Sequence, residues 1–125
     1  MFREFLRVKV HNATVTETQL QYEGSITLDP SLIRKAGLLP NEKVEVVNLN
    51  NGARFCTFVI AAGEDSGRVC LNGPAARLGQ QGDRIHILAY ALADEKELAG
   101  FKTTFVFLSK ANRIRKTRVT GLELP

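Results

Sequence analysis

The chain has 125 residues, of which 44% are hydrophobic, and this length and composition predict one folded domain with a modest core rather than a disordered segment. The formal net charge of +4 favours an anionic partner, which can be a dicarboxylate or a nucleic acid. No apolar run is long enough to span a membrane, and the early acidic residue Glu4 is atypical of a signal peptide, so we expect a cytoplasmic protein.

The first predicted strand covers residues 5–16, where apolar and polar side chains alternate. Val8 and Val10 are expected to face the core, whereas Lys9 and His11 share the opposite face. For this pair alone, an ordinary solvated strand face is the simplest interpretation.

A short strand and a capped helix are predicted next. Residues 25–28 are typical of a strand. Asp29 is expected to be the N-cap of a helix that has Pro30 at its first position. Gly37 is expected to end this helix.

The remainder of the chain is predicted to form short strands. They cover residues 43–49, 53–62, 69–71, 85–91, 103–108 and 114–120, with a helical turn over 74–78 and a short polar helix or loop over 94–99. Many short strands and two or three short helices favour a mainly β fold, a small β-barrel with helical insertions, in a single domain over residues 1–125. A doubly wound parallel sheet is disfavoured because the pattern lacks its long helices.

The cysteines and histidines do not have the spacing of metal ligands, so no metal site is predicted. Cys56 and Cys70 lie in apolar runs, and both are expected to be small core residues. His86 is expected on the less apolar face of its strand.

The dipeptide Gly24-Ser25 is the centre of a larger pattern. Its companions are Lys9-Val10-His11, Asn51-Gly52-Ala53-Arg54, Thr57 and Asn72-Gly73. Together these motifs resemble the pyruvoyl-dependent aspartate 1-decarboxylases, and the resemblance weakens towards the C-terminus. It implies a double-psi β-barrel assembled as a homotetramer with its sites between subunits.

The resemblance implies that the chain cleaves itself between Gly24 and Ser25, giving residues 1–24 and residues 25–125. The Ser25 hydroxyl attacks the Gly24 carbonyl to form an ester, and loss of the Ser25 α-proton then releases the Gly24 carboxylate. Hydrolysis of the resulting dehydroalanine leaves a covalent pyruvoyl group and ammonia. Tyr22, Thr57 and Asn72 match residues that support this processing in the family. A requirement for an accessory maturation factor stays open.

The same resemblance implies that the pyruvoyl ketone forms a Schiff base with L-aspartate, which is decarboxylated to β-alanine for pantothenate and coenzyme A synthesis. Lys9 and Arg54 are cations that can bind the two substrate carboxylates. His11 can orient the substrate or relay a proton. The further substrate-binding candidates are Asn72, Gly73 and Ala75.

Two residues depart from the family pattern. Phe58 stands where the family usually has a tyrosine that is thought to protonate the substrate carbon, and phenylalanine has no proton to give. Pro74 stands where the family prefers alanine, and proline has no backbone N–H. Three readings stay open: decarboxylation of aspartate with a proton from water or His11, action on another amino acid, and self-processing with weak activity. We favour the first because the carboxylate-binding candidates are retained.

A basic β-barrel that binds DNA is the competing hypothesis. It depends on the basic C-terminal residues Lys110, Arg113, Arg115, Lys116 and Arg118. No aromatic residue interleaves with these charges for base stacking. This hypothesis also leaves Gly24-Ser25 and its companion motifs unexplained, so we favour the enzyme.

Overall fold

A computed structural model describes residues 1–123 and 125; residue 124, the remaining position of the predicted domain, lies outside the described residues. The strands are β1 (Arg3–Thr14), β2 (Glu17–Gln19), β3 (Ser25–Leu28), β4 (Lys43–Asn48), β5 (Arg54–Ala61), β6 (Val69–Asn72), β7 (Arg84–Ala93), β8 (Lys102–Leu108) and β9 (Ile114–Gly121). The helix α1 spans Pro30–Ala36, and 3-10 helices cover Gly73–Arg77 and Leu98–Gly100.

The strands form a mixed sheet in the order β2-β6-β3-β5-β4-β7-β1-β8-β9. Three neighbouring pairs are parallel, namely β1 with β8, β2 with β6 and β3 with β5. The prediction of a mainly β, barrel-like fold with a few short helices is confirmed. The strand β2 was not predicted, because three residues are too few to show alternation.

The core is built from aliphatic side chains of the strands and of the helix α1. Val8 and Val10 of β1 are buried, as the alternation predicts. The largest fully buried side chains include Ile26, Leu28, Leu32, Leu71, Ile85 and Ile87. Truncating one such side chain to alanine costs about 2–5 kcal/mol.

The helix α1 has the predicted caps. Asp29 Oδ1 accepts a hydrogen bond from Ser31 N at 2.9 Å, and Asp29 Oδ2 accepts one from Gly67 N at 2.8 Å. Gly37 ends the helix in the left-handed conformation at φ +67°. Asp29 therefore ties the start of α1 to the loop before β6, directly after the strand that begins with Ser25.

The two cysteines have different environments. Cys70 is buried in β6, as predicted. The prediction for Cys56 is wrong, because its side chain is exposed. In β5, Thr57 and Val59 are buried, so the alternate position Cys56 faces outwards. Apolar composition alone did not reveal which face of β5 is the core face.

Across the part of the chain that the structure describes, no helix is long and apolar enough to cross a bilayer.

Candidate active site

The structure divides the predicted site residues between two regions. The serine cluster surrounds the Gly24-Ser25 bond and comprises Tyr22, Gly24, Ser25, Thr27, Thr57, Phe58, Asn72, Gly73, Pro74 and Ala75. The cationic face is the outer surface of the sheet that carries Lys9, His11 and Arg54. The two regions differ in burial and in hydrogen bonding.

Ser25 is held by Asn72. Ser25 begins β3 and lies opposite Asn72 at the end of β6. Their exposed fractions are 4% and 1%. Asn72 Nδ2 donates hydrogen bonds to Ser25 Oγ at 3.0 Å and to Thr27 Oγ1 at 2.8 Å, while Asn72 Oδ1 accepts one from Cys70 Sγ at 3.1 Å. Because both ends of the amide have partners, Asn72 fixes the position of the Ser25 hydroxyl.

The Ser25 hydroxyl also contacts the backbone that precedes it. Ser25 Oγ donates a hydrogen bond to the carbonyl oxygen of Glu23 at 2.9 Å. The hydroxyl oxygen is therefore beside the Gly24-Ser25 bond, with its own proton directed at a carbonyl.

Gly73 is the crowded glycine of the serine cluster. Its φ is +65°, and a Cβ there would lie 2.8 Å from the Tyr22 carbonyl oxygen and 2.9 Å from both Gly24 Cα and Gly24 N. Gly24 does not have a left-handed φ, and a Cβ on it would meet Pro74 Cδ at an ordinary 3.6 Å. The need for a glycine is therefore greater at position 73. Tyr22 touches Gly73 through its backbone, whereas its side chain is exposed.

A cleft of about 330 Å³ opens beside Gly24. Thr57 and Ala75 line it and are nearly buried. Phe58 lies at its rim with 50% of its surface exposed. Pro74 also lines the cleft and offers no N–H donor. The structure thus brings Gly24, Thr57 and Ala75 together around one opening.

The cationic face follows from the strand register. Lys9 of β1 is opposite Leu88 of β7, Leu88 is opposite Glu45 of β4, and Glu45 is opposite Cys56 of β5. Cross-strand partners point to the same side of a sheet, so Lys9 and Cys56 share the outer face. Arg54 lies two residues before Cys56 and points to this face as well.

Arg54 has a carboxylate partner that the sequence did not predict. Arg54 Nη1 lies 2.7 Å from Glu45 Oε1, and the Arg54 side chain is 58% exposed. The Tyr90 hydroxyl donates to the same Glu45 oxygen at 2.6 Å, and this hydrogen bond is the main cause that raises the pKa of Tyr90 to about 12. An exposed ion pair of this kind contributes at most about 1 kcal/mol. Arg54 can therefore exchange Glu45 for another carboxylate at low cost.

His11 lies against a second histidine. The rings of His11 and His86 are stacked with centroids 4.3 Å apart and an interplanar angle of 18°. His86 Nδ1 accepts a hydrogen bond from Asn12 N at 3.1 Å. Burial and the nearby positive charge of Lys9 lower the pKa of both histidines, to about 4 for His86.

The backbones of Lys9 and Arg54 are separated from Ser25 along the sheet. Four strand steps of about 4.8 Å each separate β3 from β1, which is roughly 19 Å along the sheet from Ser25 to Lys9. The pairing of Ile26 with Val59 places Arg54 four residues before the position opposite Ser25, or about 13 Å along the strand. Measured along the sheet, these backbone separations exceed the length of aspartate.

Basic C-terminal residues contact aromatic rings of the neighbouring strand β8, and these contacts were not predicted from the sequence. Lys116 Nζ lies 5.0 Å from the centroid of Phe107, and Arg118 lies 4.6 Å from that of Phe105. These contacts are typical cation–π pairs. Because the cations cover the rings, those ring faces are not open platforms for nucleic-acid bases.

Sequence reasoning missed Glu45, Tyr90 and His86 as neighbours of the predicted site. Each is far from its partner along the chain, and the strand register brings them together. A weak signal was present, because polar residues alternate with apolar ones in β4 and β7. That alternation identifies an outward face without identifying its contacts.

Comparison with known proteins assigns the family. A family model described as aspartate decarboxylase matches residues 1–115. A protein named aspartate 1-decarboxylase from Caldicellulosiruptor bescii is 53% identical over 114 residues, which covers 91% of this chain and 89% of the relative. One of the same name from Carboxydothermus hydrogenoformans is 50% identical over 118 residues, covering 94% and 93%. The chain belongs to the aspartate decarboxylase family, which confirms the prediction made from Gly24-Ser25 and its companion motifs.

Proposed function

We propose that the protein is a cytoplasmic, pyruvoyl-dependent enzyme that cleaves itself at Gly24-Ser25 and then decarboxylates L-aspartate to β-alanine for pantothenate and coenzyme A synthesis. The observation that carries this proposal is the buried Ser25 hydroxyl held by Asn72 beside an open cleft, in a chain of this family. The relatives named above are aspartate 1-decarboxylases, which supports the choice of substrate.

In this proposal the residues of the serine cluster carry out the self-cleavage. The Ser25 oxygen attacks the Gly24 carbonyl carbon, the C–N bond breaks, and the proton moves from the hydroxyl to the freed amine. Asn72 holds the oxygen during attack, and Thr57 lines the cleft where the oxyanion forms. Removal of the Ser25 α-proton then releases Gly24 as a carboxylate. Hydrolysis releases ammonia and leaves residues 1–24 and 25–125.

The serine cluster fits a pyruvoyl group at position 25. The group would keep the Cα and Cβ of Ser25 and is no larger than the serine from which it forms. The hydroxyl leaves with Gly24, so a methyl group would stand beside Asn72, whose Nδ2 keeps its hydrogen bond to Thr27 Oγ1. The cleft beside Gly24 gives access to a small substrate. When formed, this ketone supplies an electron sink for the pair of electrons left behind as carbon dioxide departs.

The chain's own residues bind and orient the substrate. Arg54 offers two parallel N–H donors to one carboxylate, and Lys9 offers a point charge to the other. Asn72, Gly73 and Ala75 shape the substrate side of the serine cluster. Because Phe58 has no exchangeable proton, His11 or water supplies the proton that replaces the lost carboxylate.

We further propose a homotetramer in which Lys9, His11 and Arg54 of one subunit approach Ser25 of another. The separations within one chain support this arrangement. Apolar side chains exposed on the outer face support it too, since patches of this kind mark protein interfaces: Phe58, Tyr90 and Leu92.

The deciding experiment combines intact-mass spectrometry with carbon dioxide release from L-aspartate. The wild-type protein is expected to give two fragments divided at Gly24-Ser25 and to release carbon dioxide. Ser25→Ala is expected to stay intact and inactive. Thr27→Ala is the matched control, because it removes the other hydroxyl held by Asn72 and keeps the nucleophile. A wild-type chain that stays intact after prolonged warming, both alone and with a cell extract as a source of maturation factors, would contradict the proposal.

A further inference from the structure

The stacked pair of His11 and His86 has a defined protonation state. A neutral imidazole has one nitrogen that donates and one that accepts. Since His86 Nδ1 accepts the N–H of Asn12 at 3.1 Å, the hydrogen of neutral His86 is on Nε2. Protonating Nδ1 would destroy this bond. Asn12 presents its N–H from a bulge in β1, where its φ is +63°.

The surroundings of the pair disfavour a positive charge. Burial is the main cause that lowers the pKa of both rings, and the charges of Lys9 of β1 and Arg84 of β7 lower it further, with His11 adding to the effect on His86. Phe107 of β8 packs against His11 with centroids 5.4 Å apart, and Lys116 lies over that phenylalanine from β9.

Among the described residues, the neighbours from β4 and β9 are uncharged or positively charged. From β4, the uncharged Val47 is opposite His86. Arg115 and Lys116 line a cleft that reaches His11. Both rings are therefore expected to be neutral at neutral pH in the free protein.

The reaction also needs a proton source. Decarboxylation breaks the bond between the substrate carbon and its carboxylate, and carbon dioxide leaves without the electron pair. A new C–H bond then consumes one proton. Phe58 cannot supply it, and the pKa of about 12 makes Tyr90 a weak acid.

We propose that His86 is a positioning residue that holds His11 flat and neutral in the free protein, and that His11 takes one proton from solvent when a dicarboxylate binds and passes it to the substrate carbon. This inference rests on the proposed function. The two carboxylates offset the positive charge of Lys9 and Arg84 that disfavours a charged His11. After the C–H bond forms, His11 is neutral again, so atoms and charge balance.

Proton uptake can be measured without turnover. Succinate is the probe, since it has both carboxylates and no amine to react. Calorimetric titration at pH 7 in two buffers of different ionisation enthalpy is expected to show uptake approaching one proton per site for the processed wild-type protein. His11→Gln is expected to bind succinate without uptake. Binding of succinate to the wild-type protein without proton uptake would overturn the proposal, as would failure to bind.

The role of His86 is tested by imidazole NMR titration of the free protein. His86→Ala removes the stacked ring and the acceptor for Asn12, and the titration midpoint of His11 is expected to rise towards 6.5. His86→Phe keeps a stacked ring and is expected to restore part of the lowering. The optimum of kcat/KM should move to higher pH in His86→Ala. An unchanged His11 midpoint in His86→Ala would overturn the positioning role. Absence of carbon dioxide release from aspartate, with both titrations as expected, would instead contradict the proposed function.

Discussion

The serine cluster and the cationic face differ in burial and in how their polar groups are paired. In the serine cluster, Ser25 and Asn72 are buried and their polar atoms have partners within the same chain. On the cationic face, Arg54 is exposed and paired to a single carboxylate. Chemistry on the chain itself needs a fixed geometry that one subunit can supply. Binding a dicarboxylate needs cations that can change partners, and here Lys9 lies four strands from Ser25 and Arg54 lies four residues along β5 from the position opposite it.

The largest expected effect comes from crowding the serine cluster at Gly73. Gly73→Ala would place a Cβ 2.8 Å from the Tyr22 carbonyl and 2.9 Å from Gly24, so the segment that contains the proposed cleavage bond must shift. We expect self-cleavage to be lost and stability to fall by at least the ~1–3 kcal/mol of a strained φ. Intact-mass spectrometry and urea unfolding measure the two effects.

Gly82→Ala is the matched control for Gly73→Ala. Its φ is +93°, but nothing lies within 4 Å of its Cβ position. It shares the backbone strain without the crowding, so it should cleave normally. Normal cleavage in Gly73→Ala would show that the contact with Gly24 does not govern the reaction.

The next largest effect concerns the proton donor of the decarboxylation. The proposed donor is on the cationic face, which is expected to meet the serine cluster of another subunit. Phe58→Tyr in a His11→Gln background should raise the turnover number by about 10²-fold, because it adds a general acid at the cleft rim. In the wild-type background the gain should be smaller, since the proposal makes His11 the proton donor there. Steady-state kinetics of the four proteins measure this coupling, with Tyr90→Phe as a control for phenol chemistry elsewhere on the outer face. Equal gains in both backgrounds would show that His11 is not a donor.

Arg54→Lys should have a smaller effect, confined to binding. Lysine keeps the charge but loses the pair of parallel donors, so KM for aspartate should rise about 10-fold with little change in kcat. Arg34→Lys is the matched control, because Arg34 also pairs with a carboxylate, Glu64, on an exposed surface away from the site. A fall in kcat with unchanged KM would place Arg54 in the chemical step rather than in binding.

The sequence predicted features that depend on neighbouring residues, but it did not predict contacts that depend on strand register. Local signals sufficed for β1, whose alternation places Val8 in the core, and for α1, whose caps are adjacent residues. Gly24-Ser25 together with its companion motifs sufficed for the family. Contacts between distant residues were not predictable, because they depend on register: Asn12 and His86 are 74 positions apart, and Tyr90 and Glu45 are 45 apart. The crowding at Gly73 arises in the same way, from a segment about fifty residues upstream.

The smallest expected effect is on the pH dependence of stability. His86 has a pKa of about 4 in the folded protein and 6.5 as its ordinary value. Between these values the unfolded chain binds more protons than the folded one, so the free energy of unfolding should fall as the pH drops from 6.5 towards 4. From pH 6.5 to 5 the contribution of His86 to the free energy of unfolding has an upper limit of about 2 kcal/mol, and partial solvation of the ring makes it smaller.

His86→Phe should lose this part of the slope. Urea unfolding at pH 7 and pH 5 measures it, in a Ser25→Ala background so that one covalent species is present, and at one protein concentration so that association does not vary. Tyr90→Phe is the matched control on the same strand, since a group with a pKa of about 12 does not titrate in this range. Equal slopes in His86→Phe and Tyr90→Phe would mean that the fold does not hold the stacked histidine pair neutral. The charge of His11 would then be as adaptable as the ion pair of Arg54, in contrast to the fixed hydrogen bonds of the serine cluster.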